Sequence, residues 1–120
     1  FRIPSSNKNN RSIEHRVSGV DANPYLLALT IISAIELGIQ NKISPDKQTT
    51  GNAYLKKNNQ KYKIPSDWNS SIMLSKKSSF LKQTLGPELH KAFIAIKEME
   101  YHKFASTISE LDIDLYLDAI

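Results

Sequence analysis

The stretch SIEHRVSGVDANPYLLALTI, residues 12–31, places a polar, alternating segment directly before a strongly apolar one. In residues 12–17 two sets of side chains alternate with the period of a β-strand. One set is Ile13, His15 and Val17, and the other is Ser12, Glu14 and Arg16. Glu14 and Arg16 therefore leave the same side of the predicted strand, and His15 leaves the opposite side. We interpret His15 as a structural residue, and we pair this strand with the extended segment at the N-terminus.

The apolar half of the stretch predicts a helix over residues 23–42. Asn23 is a good N-cap, and Pro24 suits the first helical position because no backbone N–H is missed there. The apolar residues that follow point in nearly every direction around the helix, and such a helix is normally buried on most sides. A chain of 120 residues has little left to cover it. We therefore expect more protein to pack against this buried helix.

The remaining sequence predicts a long polar loop over residues 43–65 and a helical subdomain over 66–120. Helices are predicted at 66–75, at 78–85, and from Pro87 onward, and the last begins at a capping box that runs from Thr107 to Glu110. His90 and His102 are predicted on helical surfaces, and Trp68 at the start of a helix. The fold class is α+β and mostly helical: a strand pair in residues 1–20, the buried helix, and three to four further helices.

Composition limits the possible classes of protein. The chain is 40% hydrophobic and 8% aromatic, which is typical of a globular domain, and it has no cysteine, which excludes disulfides and thiolate ligands. The N-terminal residues FRIPSSNKNNR lack the apolar core of a signal peptide. The most apolar stretch, residues 25–35, is shorter than the roughly 20 residues that span a bilayer. We expect a soluble, cytoplasmic protein without a membrane partner.

The net charge of +4 is unevenly distributed, with +1 in residues 1–39, +7 in residues 40–91 and −4 in residues 92–120. A basic middle segment is compatible with nucleic-acid binding. Its lysines do not repeat on one helical face, however, and no recognition motif accompanies them. A solvated loop is the better interpretation, and we expect no nucleic-acid partner.

Glu14 and Arg16 leave the same side of the predicted strand with their backbones about 7 Å apart. Arg2 and Arg11 add cationic groups around this single carboxylate. Two interpretations remain open from the residues alone. The first is a structural ion-pair cluster. The second is a metal–nucleotide site, in which the carboxylate holds a divalent cation and the arginines bind phosphate oxygens.

A resemblance to a known family favours the second interpretation. The order R-I-P, a short polar loop, R-x-I-E-H-R and then G-x-D-A-N-P-Y-L resembles the C-terminal part of the glutamine synthetase family. The later motifs GNAY (51–54), IPS (64–66), LGPEL (85–89) and E-x-x-x-x-x-Y-L (110–117) are also similar to it. Members with E-H-R-V-x-G-x-D-A-N-P-Y-L resemble the γ-glutamylpolyamine ligases more than the enzymes that make glutamine.

The resemblance implies an enzyme that uses ATP to phosphorylate the side chain of glutamate, after which ammonia or an amine displaces the phosphate. Glu14 matches a ligand of Mg²⁺ or Mn²⁺, and Arg16 matches the catalytic arginine that contacts glutamate or its phosphoryl group. Nucleotide contacts are implied for Arg2, Lys8 and Arg11. Ser12 stands where many members have a second arginine, which reduces the positive charge available to phosphate.

The resemblance also implies that other parts of the family's catalytic domain supply the remaining metal ligands. We therefore expect the 120-residue chain alone to be inactive, and we expect the parent protein to be a homo-oligomer. The alternative is a helical interaction module that has lost the chemistry.

Overall fold

The computed structural model of the chain describes residues 2–4, 7–45, 47–49, 51–52 and 64–117. The chain divides into two compact units, Phe1–Asp46 and Lys47–Ile120. The described residues contain five α-helices, one in the first unit and four in the second. The predicted, mostly helical architecture is confirmed. None of the helices in these residues combines the length and the apolar character needed to cross a membrane.

The first unit begins with one antiparallel β-bridge between Arg2 and Glu14. The backbone N–H of each residue donates to the carbonyl of the other, at 3.0 Å and 2.8 Å. A 3₁₀ turn at Lys8–Asn10 lies between the two segments. The predicted strand pair is therefore wrong for the described residues, where pairing is limited to this bridge. The physical reason is that an isolated two-stranded pair is only marginally stable without neighbouring strands.

Helix α1 covers Pro24–Gln40 and starts as predicted. The side chain of Asn23 accepts hydrogen bonds from the backbone N–H groups of Tyr25 and Leu26, at 3.0 Å and 3.2 Å. These bonds satisfy two of the donors that a helix leaves unpaired at its first turn, and Pro24 supplies no such donor. The helix ends at Gln40, and the backbone N–H of its C-cap Asn41 donates to the carbonyl oxygen of Leu37.

No residue of α1 is buried by the described part of this chain. The prediction that further protein buries residues 23–42 therefore stays a prediction. Ile32 and Ile39 are 64% and 72% exposed. The apolar pattern predicted a covering layer, and the described residues of the first unit provide only the N-terminal segment for it. The described residues of the predicted loop 43–65 are not helical, and Asp46, Thr50 and 53–63 lie outside the described residues.

The second unit contains helices α2 (Trp68–Lys77), α3 (Ser79–Leu85) and α4 (Pro87–Ala105), and α4 packs against both α2 and α3. The N-cap Asp67 accepts a hydrogen bond from the Ser70 backbone N–H at 2.8 Å, and Ser78 accepts one from Leu81 at 3.1 Å. Such caps satisfy the unpaired donors of each first turn. Short connections between capped helices therefore allow α4 to fold back against both α2 and α3.

A small core joins α2 to α4. Ile72 and Ile94 are each 5% exposed, and His90 is 7% exposed. The His90 Nε2 lies 3.0 Å from the backbone carbonyl oxygen of Ser75. The prediction of a surface position is therefore wrong for His90, because a polar side chain with a hydrogen-bond partner can be buried at low cost. His102 is exposed, as predicted.

An aromatic cluster joins the start of α2 to the end of α4. The Trp68 ring meets Tyr101 and Phe104 edge to face, with centroid distances of 5.8 Å and 5.3 Å. Edge-to-face pairs of this kind add stability beyond the area they bury. Trp68 is the first residue of α2, where the sequence predicts it.

Helix α5 covers Glu110–Tyr116. Its N-cap is Ser109, which forms a capping box with Asp112, so the predicted box from Thr107 to Glu110 is wrong by two residues. The Thr107 hydroxyl instead donates to the Lys103 carbonyl oxygen at 2.7 Å. Competition from this bond to the end of α4 explains why Thr107 does not cap α5.

Candidate functional site

The β-bridge of the first unit assembles a cluster of one carboxylate and two guanidinium groups, called the triad below: Arg2, Glu14 and Arg16. In an antiparallel pair, residues directly opposite one another are the closest cross-strand neighbours. The Arg2 Nη1 donates to Glu14 Oε2 at 3.1 Å. The Arg16 Nε, two residues along the same extended segment, donates to Glu14 Oε1 at 2.5 Å. Each oxygen of the carboxylate therefore accepts a bond from a different arginine.

The triad lies at the surface. The side chains of Arg2 and Arg16 are each 59% exposed, and that of Glu14 is 36% exposed. The hydrogen bond from Arg16 is the main cause that lowers the pKa of the Glu14 carboxyl below its usual value, and the positive charges of Arg16 and Arg2 lower it further. Glu14 is therefore an anion at neutral pH, and both guanidinium groups are accessible to a ligand from solvent.

The two other predicted nucleotide contacts are not part of this cluster. Lys8 begins the 3₁₀ turn and Arg11 follows that turn. Both side chains are exposed, and within the described residues neither forms an ion pair with an acidic group. The structure thus brings together three of the five predicted site residues.

The donor set tests whether these residues suit a divalent cation and a phosphate group. A carboxylate oxygen is a suitable ligand for Mg²⁺ or Mn²⁺, and exposed guanidinium groups suit phosphate oxygens. Among the described residues, however, no group of three or more histidine, cysteine, aspartate or glutamate side chains could hold a metal ion. Because Mg²⁺ takes six ligands, the described residues do not form a complete metal site, and Glu14 would fit one ligand position at most.

Sequence reasoning missed an apolar cavity on the other side of the same extended segment. The cavity has a volume of about 610 Å³ and is lined by the N-terminal segment and α1: Ile3, Ile13, His15, Leu27, Thr30, Ile31, Ala34 and Ile35. The alternation that sends Glu14 toward the arginines sends Ile13 and His15 toward the cavity. The spacing of Leu27, Ile31 and Ile35, four residues apart on one helix face, was the signal that could have predicted it.

His15 is one of the residues that line this cavity. Its Nδ1 lies 2.9 Å from the Ser18 hydroxyl oxygen. The interpretation of His15 as a residue that stabilises local structure agrees with this contact. The triad and the cavity therefore use alternate side chains of the segment that contains Ile13, Glu14 and His15.

Comparisons with known proteins connect this geometry to a family. The family model "Glutamine synthetase, catalytic domain" matches residues 1–116. Over the whole chain it is 28% identical to glutamine synthetase of Methanosarcina mazei and 32% identical to type-1 glutamine synthetase 2 of Dictyostelium discoideum, covering 28% and 23% of their lengths. It is 29% identical to gamma-glutamylputrescine synthetase of Escherichia coli, with 98% of this chain matching 24% of that protein. The chain thus spans about a quarter of the length of these relatives. A match across nearly all of its residues means that the chain belongs to the glutamine synthetase catalytic-domain family.

Proposed function

We propose that this chain is the C-terminal portion of the catalytic domain of an ATP-dependent ligase that joins glutamate to ammonia or to an amine. The observation that carries the proposal is the triad: a carboxylate and two guanidinium groups meet at the surface of a chain that belongs to this family. Relatives named for glutamine and for gamma-glutamylputrescine synthesis both support ligase chemistry.

The proposed reaction has two steps. An oxygen of the glutamate side-chain carboxylate attacks the γ-phosphorus of ATP, and ADP leaves. The amine nitrogen then attacks the acyl carbon and loses a proton, and inorganic phosphate leaves as the amide forms. Positioning and charge neutralisation supply most of the catalysis in phosphoryl transfer. A bound Mg²⁺ or Mn²⁺ would neutralise charge on the phosphates.

We assign one role to each member of the triad and to its neighbours. Glu14 provides one carboxylate ligand for the cation. Arg16 holds the glutamate substrate or its phosphoryl group, and Arg2 holds ATP phosphates. Arg11 and Lys8 provide further nucleotide contacts from the exposed segment between the two bridged residues. A guanidinium suits the phosphate role because its planar array of donors can bind two oxygens at once.

The rest of the active site is proposed to come from protein beyond these 120 residues. Glu14 supplies one ligand, and the described part of the chain offers no three-residue group to complete a metal site. The relatives are about four times as long as the matched stretch. The 120-residue chain alone is therefore expected to be inactive, and the complete protein is expected to act as a cytoplasmic homo-oligomer.

The test is glutamate- and amine-dependent release of phosphate from ATP by the full product of the gene. Glu14→Gln and Arg16→Lys are each expected to lower kcat by about 100-fold or more, because each removes a group aimed at developing charge. Glu36→Gln is the matched control. Its carboxylate lies on α1 and accepts a hydrogen bond from the Gln40 side chain, away from the arginines of the triad. Wild-type turnover by Glu14→Gln would refute the proposed role of the triad.

One observation favours a second function, a helical interaction module without catalysis. Helix α1 has no buried residue, although most of its residues are apolar. This face suits protein binding whether or not the chemistry is retained. The two functions are distinguished by the same assay: a module predicts that the full gene product binds other chains but releases no phosphate from ATP under any combination of glutamate and amine.

A further inference from the structure

Helix α4 has a second apolar face, on the side that does not pack against α2 and α3. This surface is called the outer face below, and its members are Leu89, Ala92, Ile96 and Met99. Leu89, Ile96 and Met99 are 45%, 49% and 64% exposed. Ala92 is exposed as well. At about 100° of rotation per residue, the centre of the outer face lies opposite the buried Ile94, so the core of the second unit does not cover it.

The spacing of the outer face is typical of helices that pair along a narrow seam. Its members follow one another in steps of three, four and three residues, and such steps keep a row of side chains on one line along the helix. The row from Leu89 to Met99 is about 15 Å long. A contact of this length buries less surface than the roughly 1,600 Å² of a standard protein interface, so association is expected to be weak and to depend on concentration.

The charges near the two ends of α4 are opposite. Glu88 lies in the first turn of the helix and Lys103 lies in the last. Both side chains are exposed, and within the described residues neither forms an ion pair. Parallel pairing of two such helices places each charge beside its own copy, whereas antiparallel pairing places Glu88 near Lys103 of the second copy. Antiparallel pairing also opposes the two helix dipoles, so the electrostatics favour an antiparallel partner of the same sequence.

We propose that the outer face of α4 binds the outer face of a second copy of this chain, with the two helices antiparallel. In this register Leu89 lies opposite Met99 of the second copy. The small Ala92 lies opposite the large Ile96 of the second copy, and the twofold symmetry repeats each contact. This surface would serve the homo-oligomer expected above, and the inference rests on the proposed function in that respect alone, since the triad lies in the other unit.

The test is disulfide formation between copies of the 120-residue chain, which has no cysteine of its own. Leu89→Cys and Met99→Cys are prepared separately, mixed in equal amounts and oxidised at high concentration, and circular dichroism checks that each variant keeps the helix content. The proposed register places these two positions opposite each other, within the roughly 7 Å between Cα atoms that a disulfide allows. Two copies of the same position are about 15 Å apart along the helices, which is too far.

Mass spectrometry separates the mixed disulfide from the two symmetrical ones, because the two variants differ in mass. Chance collision gives as much mixed disulfide as the two symmetrical disulfides together. Antiparallel pairing is expected to raise this ratio to about fivefold or more, because it brings only unlike positions within reach of each other.

A matched control and a charge exchange separate specific pairing from chance collision. Lys91→Cys places a cysteine at an exposed position of the same helix but outside the outer face, and its mixture with Met99→Cys is expected to show no excess. Glu88→Lys, added to both cysteine variants of the test, is expected to lower the excess, because like charges then meet at both ends of the pair. Lys103→Glu, added to those proteins in turn, is expected to restore it.

The outcomes decide the proposal without reference to the ligase reaction. Equal amounts of mixed and symmetrical disulfides overturn it and leave the outer face to be covered by further protein instead of a second copy. An excess of the symmetrical disulfides, as parallel pairing would give, also overturns it. So does an excess that Lys91→Cys reproduces or that Glu88→Lys leaves unchanged. None of these results alters the proposed role of the triad, which is tested by phosphate release alone.

Discussion

Replacement of Ile94 by alanine is the sharpest test of how the second unit is held together. Ile94 and Ile72 are the buried hydrophobic residues described in this unit, each 5% exposed. Ile→Ala removes about three CH₂ equivalents, worth about 0.8 kcal/mol each when fully buried. With the cavity that it leaves, Ile94→Ala is expected to lower the free energy of unfolding by about 2.5–4 kcal/mol. Ile94→Val, which leaves most of the side chain, should cost only about 1 kcal/mol.

Ile96 provides the matched control, because it lies on the same helix and is 49% exposed. The same substitution there removes about half as much buried surface and leaves no closed cavity, so Ile96→Ala is expected to cost about 1 kcal/mol or less. Urea unfolding followed by far-ultraviolet circular dichroism measures all three variants. Equal losses for Ile94→Ala and Ile96→Ala would refute the assignment of Ile94 to the core between α2 and α4.

Two further predictions concern acid and the exposed face of α1. Hydrogen bonds from Ser70 to Asp67 and from Ser109 to Asp112 lower the pKa of each carboxyl below its usual value. Their contribution to stability is therefore complete above the unfolded pKa and disappears as the pH falls through the lowered folded pKa. The helix content of the second unit should therefore decrease when the pH is lowered below about 4, as circular dichroism against pH would show. Asp67→Asn should make this decrease smaller, and an unchanged acid profile would contradict the capping role. The 120-residue chain should also self-associate through α1, and Ile32→Lys, at a position 64% exposed, should shift sedimentation velocity toward monomer. A wild-type chain that sediments as a monomer at high concentration would show that this face does not drive association.

Helix boundaries were predictable where a local signal decides them. Asn23 and Pro24 fix the start of α1, and Gly86 with Pro87 separates α3 from α4, because caps and prolines act through the backbone of their own turn. The start of α5 was not predictable to the residue. Two hydroxyls lie within reach of it, and the end of α4 takes Thr107 and leaves Ser109 as the N-cap.

Burial was less predictable, because it depends on what surrounds an element. The apolar pattern of α1 predicts burial by further protein, and within this chain Ile32 and Ile39 are mostly exposed. The pattern shows that a packing partner is needed, but the helix itself does not encode which one. His90 shows the opposite case. Its position on α4 did not reveal that the Ser75 carbonyl oxygen would lie within hydrogen-bonding distance at the α2 end.

The site was predictable to the extent that it depends on spacing within one extended segment. A two-residue step places Arg16 beside Glu14 even without a regular strand, because extended backbone alone gives that alternation. Arg2 joins through a non-local bridge, which lies between the two extended segments predicted to pair. Lys8 lies in a 3₁₀ turn and Arg11 follows that turn. The backbone of the turn, and not the bridge, therefore sets the direction of these two side chains.

Gly86 joins α3 to α4 with φ 76° and ψ 158°, a backbone conformation that is essentially restricted to glycine. Nothing lies within 4 Å of the place where a Cβ would stand, so the restriction comes from the backbone alone. The direction in which α4 leaves this joint is therefore set by a residue without a side chain. Another residue there would meet no steric clash with neighbours, yet its strained backbone would change the direction of α4, the longest of the described helices.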